Sequence, residues 1–284
     1  MKPSAIVLIS CPDQKGINAA IADFIFRNNG NIVHADEHQD AEEQLFLMRV
    51  EWELEGFAIA PADFEREFTP LAQRFGMQWR MALSTYKPRV AVFVSQYDHC
   101  LVDVLFRHRS GELPCEISVI VSNHPDARRD ADFHGIPFHM IPVWPEVKPV
   151  AERKQLDLLR EMNIDLVVLA RYMQILSPDF VRHYPQRIIN IHHSFLPAFV
   201  GAKPHRQAYQ RGVKLIGATA HYVTETLDDG PIIEQDVVRV SHRDAVEDLA
   251  QKGRDLEKIV LSRALRWHLE NRILVYGKKT VIFD

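Results

Sequence analysis

Two hydrophobic periods alternate along this chain, and their order predicts its architecture. Residues 6–10 are a short apolar run that reads as a strand, and Cys11-Pro12-Asp13-Gln14-Lys15-Gly16 is a turn in which glycine supplies backbone freedom. Ile17, Ala20, Ile21, Phe24 and Ile25 then repeat at helical spacing, and Asn28-Asn29-Gly30 carries the glycine expected past a helix C-terminus. Two strands follow over 31–38 and 44–52, joined by a polar turn at 39–43. Pro61 suits the first turn of a second helix, whose apolar stripe is Phe64, Phe68, Leu71 and Phe75. Pro70 is expected to kink or break that helix. A last strand over 78–84 completes a βαββαβ unit.

Tyr86-Lys87-Pro88-Arg89 reads as a linker. Beyond it come a strand (90–94), a helix (101–108), a strand (117–121), a short helix near 127–133, a strand (137–141), a helix (152–162) and a strand (166–170). Leu156, Leu159 and Met162 are expected on the inner face of the 152–162 helix. Strands 188–191 and 216–223 follow, then a long closing helix over 247–271 with Leu249, Leu256, Val260, Leu261 and Leu265 inside. Tyr276-Gly277-Lys278-Lys279-Thr280 suggests a terminal hairpin. This alternation predicts an α/β fold whose mainly parallel sheet has helices on both faces. The expected domains are 1–86 and 87–284.

Composition removes several classes. Hydrophobic residues make up 46% and charged residues 25%, the balance of an ordinary globular chain. A net charge of −4 gives no reason to expect a nucleic-acid or membrane surface. No apolar run reaches the ~20 residues of a membrane span. The N-terminal run reaches Cys11-Pro12-Asp13 without a small-residue cleavage site, so no signal peptide is expected. Cys11, Cys100 and Cys115 are scattered and odd in number, which fits a reduced cytoplasm. Fourteen histidines raise the question of a metal, but no Cys-x-x-Cys or His-Glu-x-x-His spacing occurs, and none is expected.

The candidate chemistry stands at the end of strand 188–191. Residues two apart on a strand share a face, so Asn190 and His192 are expected to point one way and His193 the other. An amide N–H stabilises a developing oxyanion, and an imidazole donates or shuttles a proton. Pro197 then turns the chain outward, and ligands of open α/β sheets bind at strand ends. A second element is the strand through His221-Tyr222-Val223 and its loop, Thr224-Glu225-Thr226-Leu227-Asp228-Asp229-Gly230-Pro231. Either fragment alone also suits a structural role, as a satisfied side-chain pair or a plain turn.

Taken together, these residues resemble the folate-dependent formyltransferase family. The resemblance runs from about Pro88 to the C-terminus and rests on Asn190-x-His192, Ser194, Leu196-Pro197 and Leu227-Asp228-x-Gly230-Pro231. The segment Ala170-Arg171-Tyr172-Met173-Gln174-Ile175-Leu176-Ser177-Pro178 and Gly217-Ala218-Thr219 before His221 also match. It implies a Rossmann-like domain and a catalytic trio of Asn190, His192 and Asp228. Asp229 is not the match, because the family's Asp directly follows Leu. It also implies a pterin pocket walled by Tyr172, Met173, Ile175, Leu176, Val223 and Thr226, with core packing the alternative for Ile175 and Val223. His221 would make a structural hydrogen bond, and Ser194 would orient His192. No cofactor is implied, since the folate is the substrate.

One departure narrows the resemblance. Members that formylate glycinamide ribonucleotide hold its phosphate on a glycine-rich turn after the first strand of the domain. Here that strand runs into Ser95-Gln96-Tyr97-Asp98-His99-Cys100, without glycine, and Tyr97 and Asp98 would crowd or repel a phosphate. With the amine site lost, water becomes the expected nucleophile. The chain then looks like the members that hydrolyse 10-formyltetrahydrofolate to formate and tetrahydrofolate, supplying formate for purine biosynthesis and balancing one-carbon pools. A formyltransferase to an amine and an inert amino-acid sensor are the alternatives.

The N-terminal unit, with Asp-x-x-Gly after its first strand, is similar to ACT domains, which have a ferredoxin-like βαββαβ fold. Such domains commonly bind a small amino acid at a pairing interface and regulate an attached enzyme. Asp13 and Gly16 match the turn as effector-binding candidates, with helix capping by Asp13 the alternative. Pairing of such units implies a homodimer or homotetramer.

Overall fold

The computed structural model describes residues 2–197 and 204–284 and divides the chain into two units, Met1–Lys87 with Glu270–Asp284, and Pro88–Leu269. The first unit runs β1 (Ser4–Pro12), α1 (Ile17–Arg27), β2 (Ile32–Asp40), β3 (Leu45–Glu53), α2 (Phe64–Phe75) and β4 (Gln78–Leu83). The strands pair antiparallel in the order β2-β3-β1-β4. Both helices lie on one face, where Ile17, Ile21, Ile25, Phe64, Phe68 and Phe75 enclose Trp52. α2 runs unbroken through Pro70, against the expected break. The Phe64 and Phe68 rings before it stack at 5.2 Å, Ala72 and Phe75 after it are buried, and this shared core holds the turns together. Asp13 does not cap α1. The N-cap is Gly16, at φ 93°, and the Asp13 carboxylate accepts from Gln39 instead.

The second unit runs β5 (Arg89–Val94), α3 (His99–Arg109), β6 (Glu116–Ser122), α4 (Arg128–His134), β7 (Phe138–Met140), α5 (Lys148–Glu161), β8 (Leu166–Leu169) and α6 (Pro178–His183). It continues through β9 (Ile188–His192), α7 (Pro204–Arg211), β10 (Leu215–Tyr222), β11 (Ile232–Arg239) and α8 (Val246–Leu269). The seven strands lie in the order β11-β10-β9-β8-β5-β6-β7. From β9 to β7 they are parallel, and β10 and β11 are antiparallel additions, so the sheet is mostly parallel as expected. The sequence reading missed α7 and β11. In β11, Glu234-Gln235-Asp236 interrupts the apolar pattern. α8 buries Leu249, Leu256, Val260, Leu261 and Leu265 as expected, whereas of the three residues expected inside the 152–162 helix Leu159 is fully buried and Leu156 and Met162 are half-buried beside it.

From β5 the chain winds to β6 and β7 on one side, and from β8 to β9 on the other. Open α/β sheets bind ligands at such a switch, outside the carboxyl ends of the strands. Two bonds knit the loops there: Ser95 N donates to the Arg171 carbonyl at 3.2 Å, and Met173 N donates to Ser95 Oγ at 2.9 Å.

The chain's last residues form the expected hairpin, β12 (Ile273–Tyr276) with β13 (Lys279–Ile282). They belong to the first unit, not to a domain spanning 87–284. The face of β1 and β3 turned away from the helices carries Leu8 and Leu47, and Leu274 and Phe283 cover them. Arg49, buried on the same face, donates to the Asn271 carbonyl at 3.0 Å and pairs with Glu51 at 2.8 Å. A two-stranded hairpin is marginal alone in water and gains its stability from such packing. Among the described residues, no helix is long and apolar enough to cross a membrane.

Candidate active site

Asn190 and His192 stand two apart on β9, and the loop after β10 carries Asp228 to them. Asp228 Oδ2 lies 3.3 Å from His192 Nδ1. Gly230 permits that approach: a Cβ there would fall 1.7 Å from the Tyr222 carbonyl oxygen, so any side chain would push the loop off β10. Asp228 itself has φ 54°, a strained region that Asp and Asn tolerate better than most residues.

His221, from β10, completes the cluster. Its Nδ1 donates to the Tyr222 carbonyl at 2.9 Å, and burial pushes its pKa down, so the ring is neutral with its lone pair on Nε2. The Asn190 amide nitrogen donates to that lone pair at 3.2 Å. Asp228 Oδ1 lies 3.7 Å from the same nitrogen with no proton to share, which leaves this oxygen able to accept. The His192 hydrogen bond holds the Asp228 carboxyl below its ordinary pKa. His192 Nε2 is buried and has no hydrogen-bond partner among the described residues.

Asn190, His192, His221 and Asp228 line a cavity of about 840 Å³. Of the six predicted wall residues, Tyr172, Met173, Ile175, Leu176 and Val223 line it. Thr226 does not. It is exposed, and its carbonyl accepts from Thr224 Oγ1 at 3.0 Å. Met173 and Ile175 are 52% and 58% exposed, so core packing is not the job of Ile175. Tyr172 and Leu176 are core residues as well as wall, and the Tyr172 hydroxyl accepts from Gln155 at 2.9 Å.

His193 also lines the cavity, although strand alternation predicted that it would face away. β9 ends at His192, so the alternation stops there, and the His193 ring lies over His192 at 5.3 Å. His205 continues the stack at 6.3 Å from His193. Burial pushes the His193 pKa down to about 3. The sequence reading placed Thr219 in a matching segment but gave it no role. Its hydroxyl donates to the Ser194 carbonyl at 2.9 Å and accepts from Leu196 N at 3.0 Å, fixing the chain that leaves β9.

Tyr97 and Arg171 also line the cavity. The Arg171 guanidinium carbon is 5.4 Å from the Tyr97 ring centroid. Arg171 Nε lies 3.4 Å from Glu257 Oε2, which also bonds His99 Nε2 at 2.7 Å. Burial pushes the Glu257 carboxyl up, but the His99 bond and Arg171 outweigh it and set its pKa below the usual value. His99, Cys100 and Glu257 have ligand atoms within 4.8 Å of one another. Burial raises the Cys100 thiol well above its ordinary pKa, and the fixed charge of Arg171 lies against Glu257, so this group is poorly suited to a cation.

A carboxylate, an imidazole and an amide around a cavity at the switch point of a mostly parallel sheet define a formyl transferase domain. Residues 88–265 match the family model described as formyl transferase. The chain is 57% identical over 280 residues to the formyltetrahydrofolate deformylase of Synechocystis sp., covering 99% of this chain and 98% of that protein. It is 47% identical over 279 residues to that of Bacillus subtilis, covering 98% and 93%. A crystal structure of a formyltetrahydrofolate deformylase from Pseudomonas syringae pv. tomato matches with a TM-score of 0.98 at 50% identity, covering 100% of this chain and 95% of that one. The chain belongs to the formyltetrahydrofolate deformylase family.

Proposed function

We propose that the chain hydrolyses 10-formyltetrahydrofolate to formate and tetrahydrofolate, with water attacking the formyl carbon. The observation that carries this reading is the Asp228–His192 pair, whose second imidazole nitrogen has no partner among the described residues and lies in a cavity large enough for a pterin. The scissile nitrogen is bonded to an aromatic ring that shares its lone pair, so it leaves more readily than an alkyl amine. Asp228 Oδ2 holds His192, and Oδ1 accepts a hydrogen of the attacking water. As the tetrahedral oxyanion forms, it is met by the Asn190 amide hydrogen not given to His221 and by the His192 Nε2–H. One such donor is worth ~10²–10³ in rate. The proton that water loses on bonding to carbon passes to Asp228. When the C–N bond breaks, His192 gives its Nε2 proton to the departing nitrogen, and Asp228 returns a proton to His192. The formic acid released loses its own proton to solvent. Met173, Ile175, Leu176 and Val223 contact the pterin. No metal or organic cofactor is invoked.

The first unit acts as an ACT-like regulatory domain, with a small amino acid bound at the Asp13–Gly16 turn and pairing that makes the protein a homodimer or homotetramer. Its antiparallel βαββαβ order and the left-handed Gly16 support this. The three buried cysteines, none of them in a disulfide among the described residues, suit a cytoplasmic enzyme of one-carbon metabolism that feeds purine biosynthesis. Incubation with 10-formyltetrahydrofolate and no amine tests the activity. Formate and tetrahydrofolate should appear in equal amounts. Turnover that requires an added amine would make the chain a transferase, and no turnover would make it a sensor.

A further inference from the structure

We infer that the arm of the cavity between Tyr97, Arg171, His193 and His205 is a binding site for the formate product, with Arg171 as its anchor; this rests on the hydrolytic reading above. Arg171 is nine-tenths buried, with 10% of its side chain exposed, yet its Nε and Nη1 make no hydrogen bond among the described residues. Buried polar groups are almost always bonded, and an orphan marks an absent water or ligand, or a functional group held ready. The Arg171 backbone also sits at φ 63°, where a residue other than glycine is strained. Such strain persists where surrounding structure enforces it, and it concentrates at ligand sites.

The surroundings specify a small anion. Glu257 is the acid that faces this guanidinium. It sits on the Nε side, is already bonded to His99, and does not line the cavity. The Nη edge remains, and a guanidinium edge matches the two oxygens of a carboxylate. His193 and His205 are both depressed in pKa by burial, and a neutral imidazole offers one N–H donor without adding charge. The arm is also built. A Cβ on Gly253 of α8 would fall 2.2 Å from His205 Nε2, so the glycine makes room for that ring. Tyr97 lies against the guanidinium at 5.4 Å, and the His192–His193 stack at 5.3 Å joins this arm to the imidazole assigned to the formyl group.

The test is a titration of the full-length protein with ¹³C-formate, without folate, followed by line broadening, with hydrolysis assayed separately. The ceiling on binding energy per atom limits a three-atom anion to roughly millimolar affinity. The wild type should bind in that range, Arg171→Gln should bind at least about tenfold more weakly, and inorganic phosphate should not compete. If Arg171→Gln does not fold, Arg171→Lys, which keeps the charge but loses the paired edge, carries the comparison. No binding by the wild type, equal binding by a folded variant, or displacement by phosphate overturns the site. Turnover without formate binding removes this site and leaves the hydrolytic reading standing, whereas absent turnover removes the reading itself.

Discussion

Asn190 donates its amide to His221 Nε2 at 3.2 Å, and this bond decides which amide hydrogen is left for the substrate. Because His221 gives its Nδ1–H to the Tyr222 carbonyl, its Nε2 accepts while the ring is neutral. One amide hydrogen is held by the protein, and the other is available to the cavity that Asn190 lines. His221→Phe removes the acceptor and keeps an aromatic ring. It should lower kcat about tenfold, the effect of one lost hydrogen bond of ~1–1.5 kcal/mol, with little change in KM. Steady-state kinetics check this, and an unchanged kcat would show that something else orients the amide.

Asp228→Asn separates charge from shape. Asparagine tolerates φ 54° as aspartate does, so the loop should keep its path. The charge is lost, and kcat should fall by ~10²–10⁴. The bond to His192 holds the Asp228 pKa below the ordinary carboxylate range, so the wild-type carboxylate stays ionised until the pH falls through that lowered value. The acid limb of the pH–rate profile should therefore lie low in the wild type and vanish in Asp228→Asn. A profile unchanged in shape would remove the carboxylate from the mechanism.

Stability should fall as the pH drops below ~6.5, where the unfolded histidines take up protons. His193, His205 and His221 are all depressed by burial, His193 to about 3, so the folded state stays neutral where the unfolded state does not. Fewer protons on the folded state mean stability lost toward acid, at up to ~1.4 kcal/mol per pH unit for each histidine. Denaturant melts at pH 7 and pH 5 measure the slope, and His193→Gln should make it shallower. A slope unchanged by the substitution would contradict the buried neutral ring.

Phe283→Ala tests the terminal hairpin. The ring is fully buried against Leu8, Leu47 and Leu274. Its loss should destabilise the first unit by ~3–5 kcal/mol, the range for emptying a buried aromatic site. Thermal melting reads this directly. A change within ~0.5 kcal/mol, as at a surface position, would detach the hairpin from that core.

Alternation along a strand put Asn190 and His192 on one face, whereas Asp228 was named only through the resemblance to the folate-dependent formyltransferases. The Leu-Asp-x-Gly-Pro loop folds back through Gly230, which cannot carry a side chain. Alternation also misplaced His193, since the rule holds only while the strand continues and β9 stops one residue earlier. The Arg171–Glu257–His99 group was invisible because its members come from three distant segments, with His99 and Glu257 158 residues apart. The hairpin residues were found, but nothing local tells Leu274 and Phe283 which apolar face they cover. Thr219 resembled any strand threonine until its hydroxyl was seen to hold both Ser194 and Leu196.

The origin of the oxygen in the product tests the central claim most directly. Turnover of 10-formyltetrahydrofolate in H₂¹⁸O, with no amine present, should give formate carrying one oxygen from solvent. Formate without the label, or label uptake that depends on an added amine, would contradict an attack by water directed by Asp228.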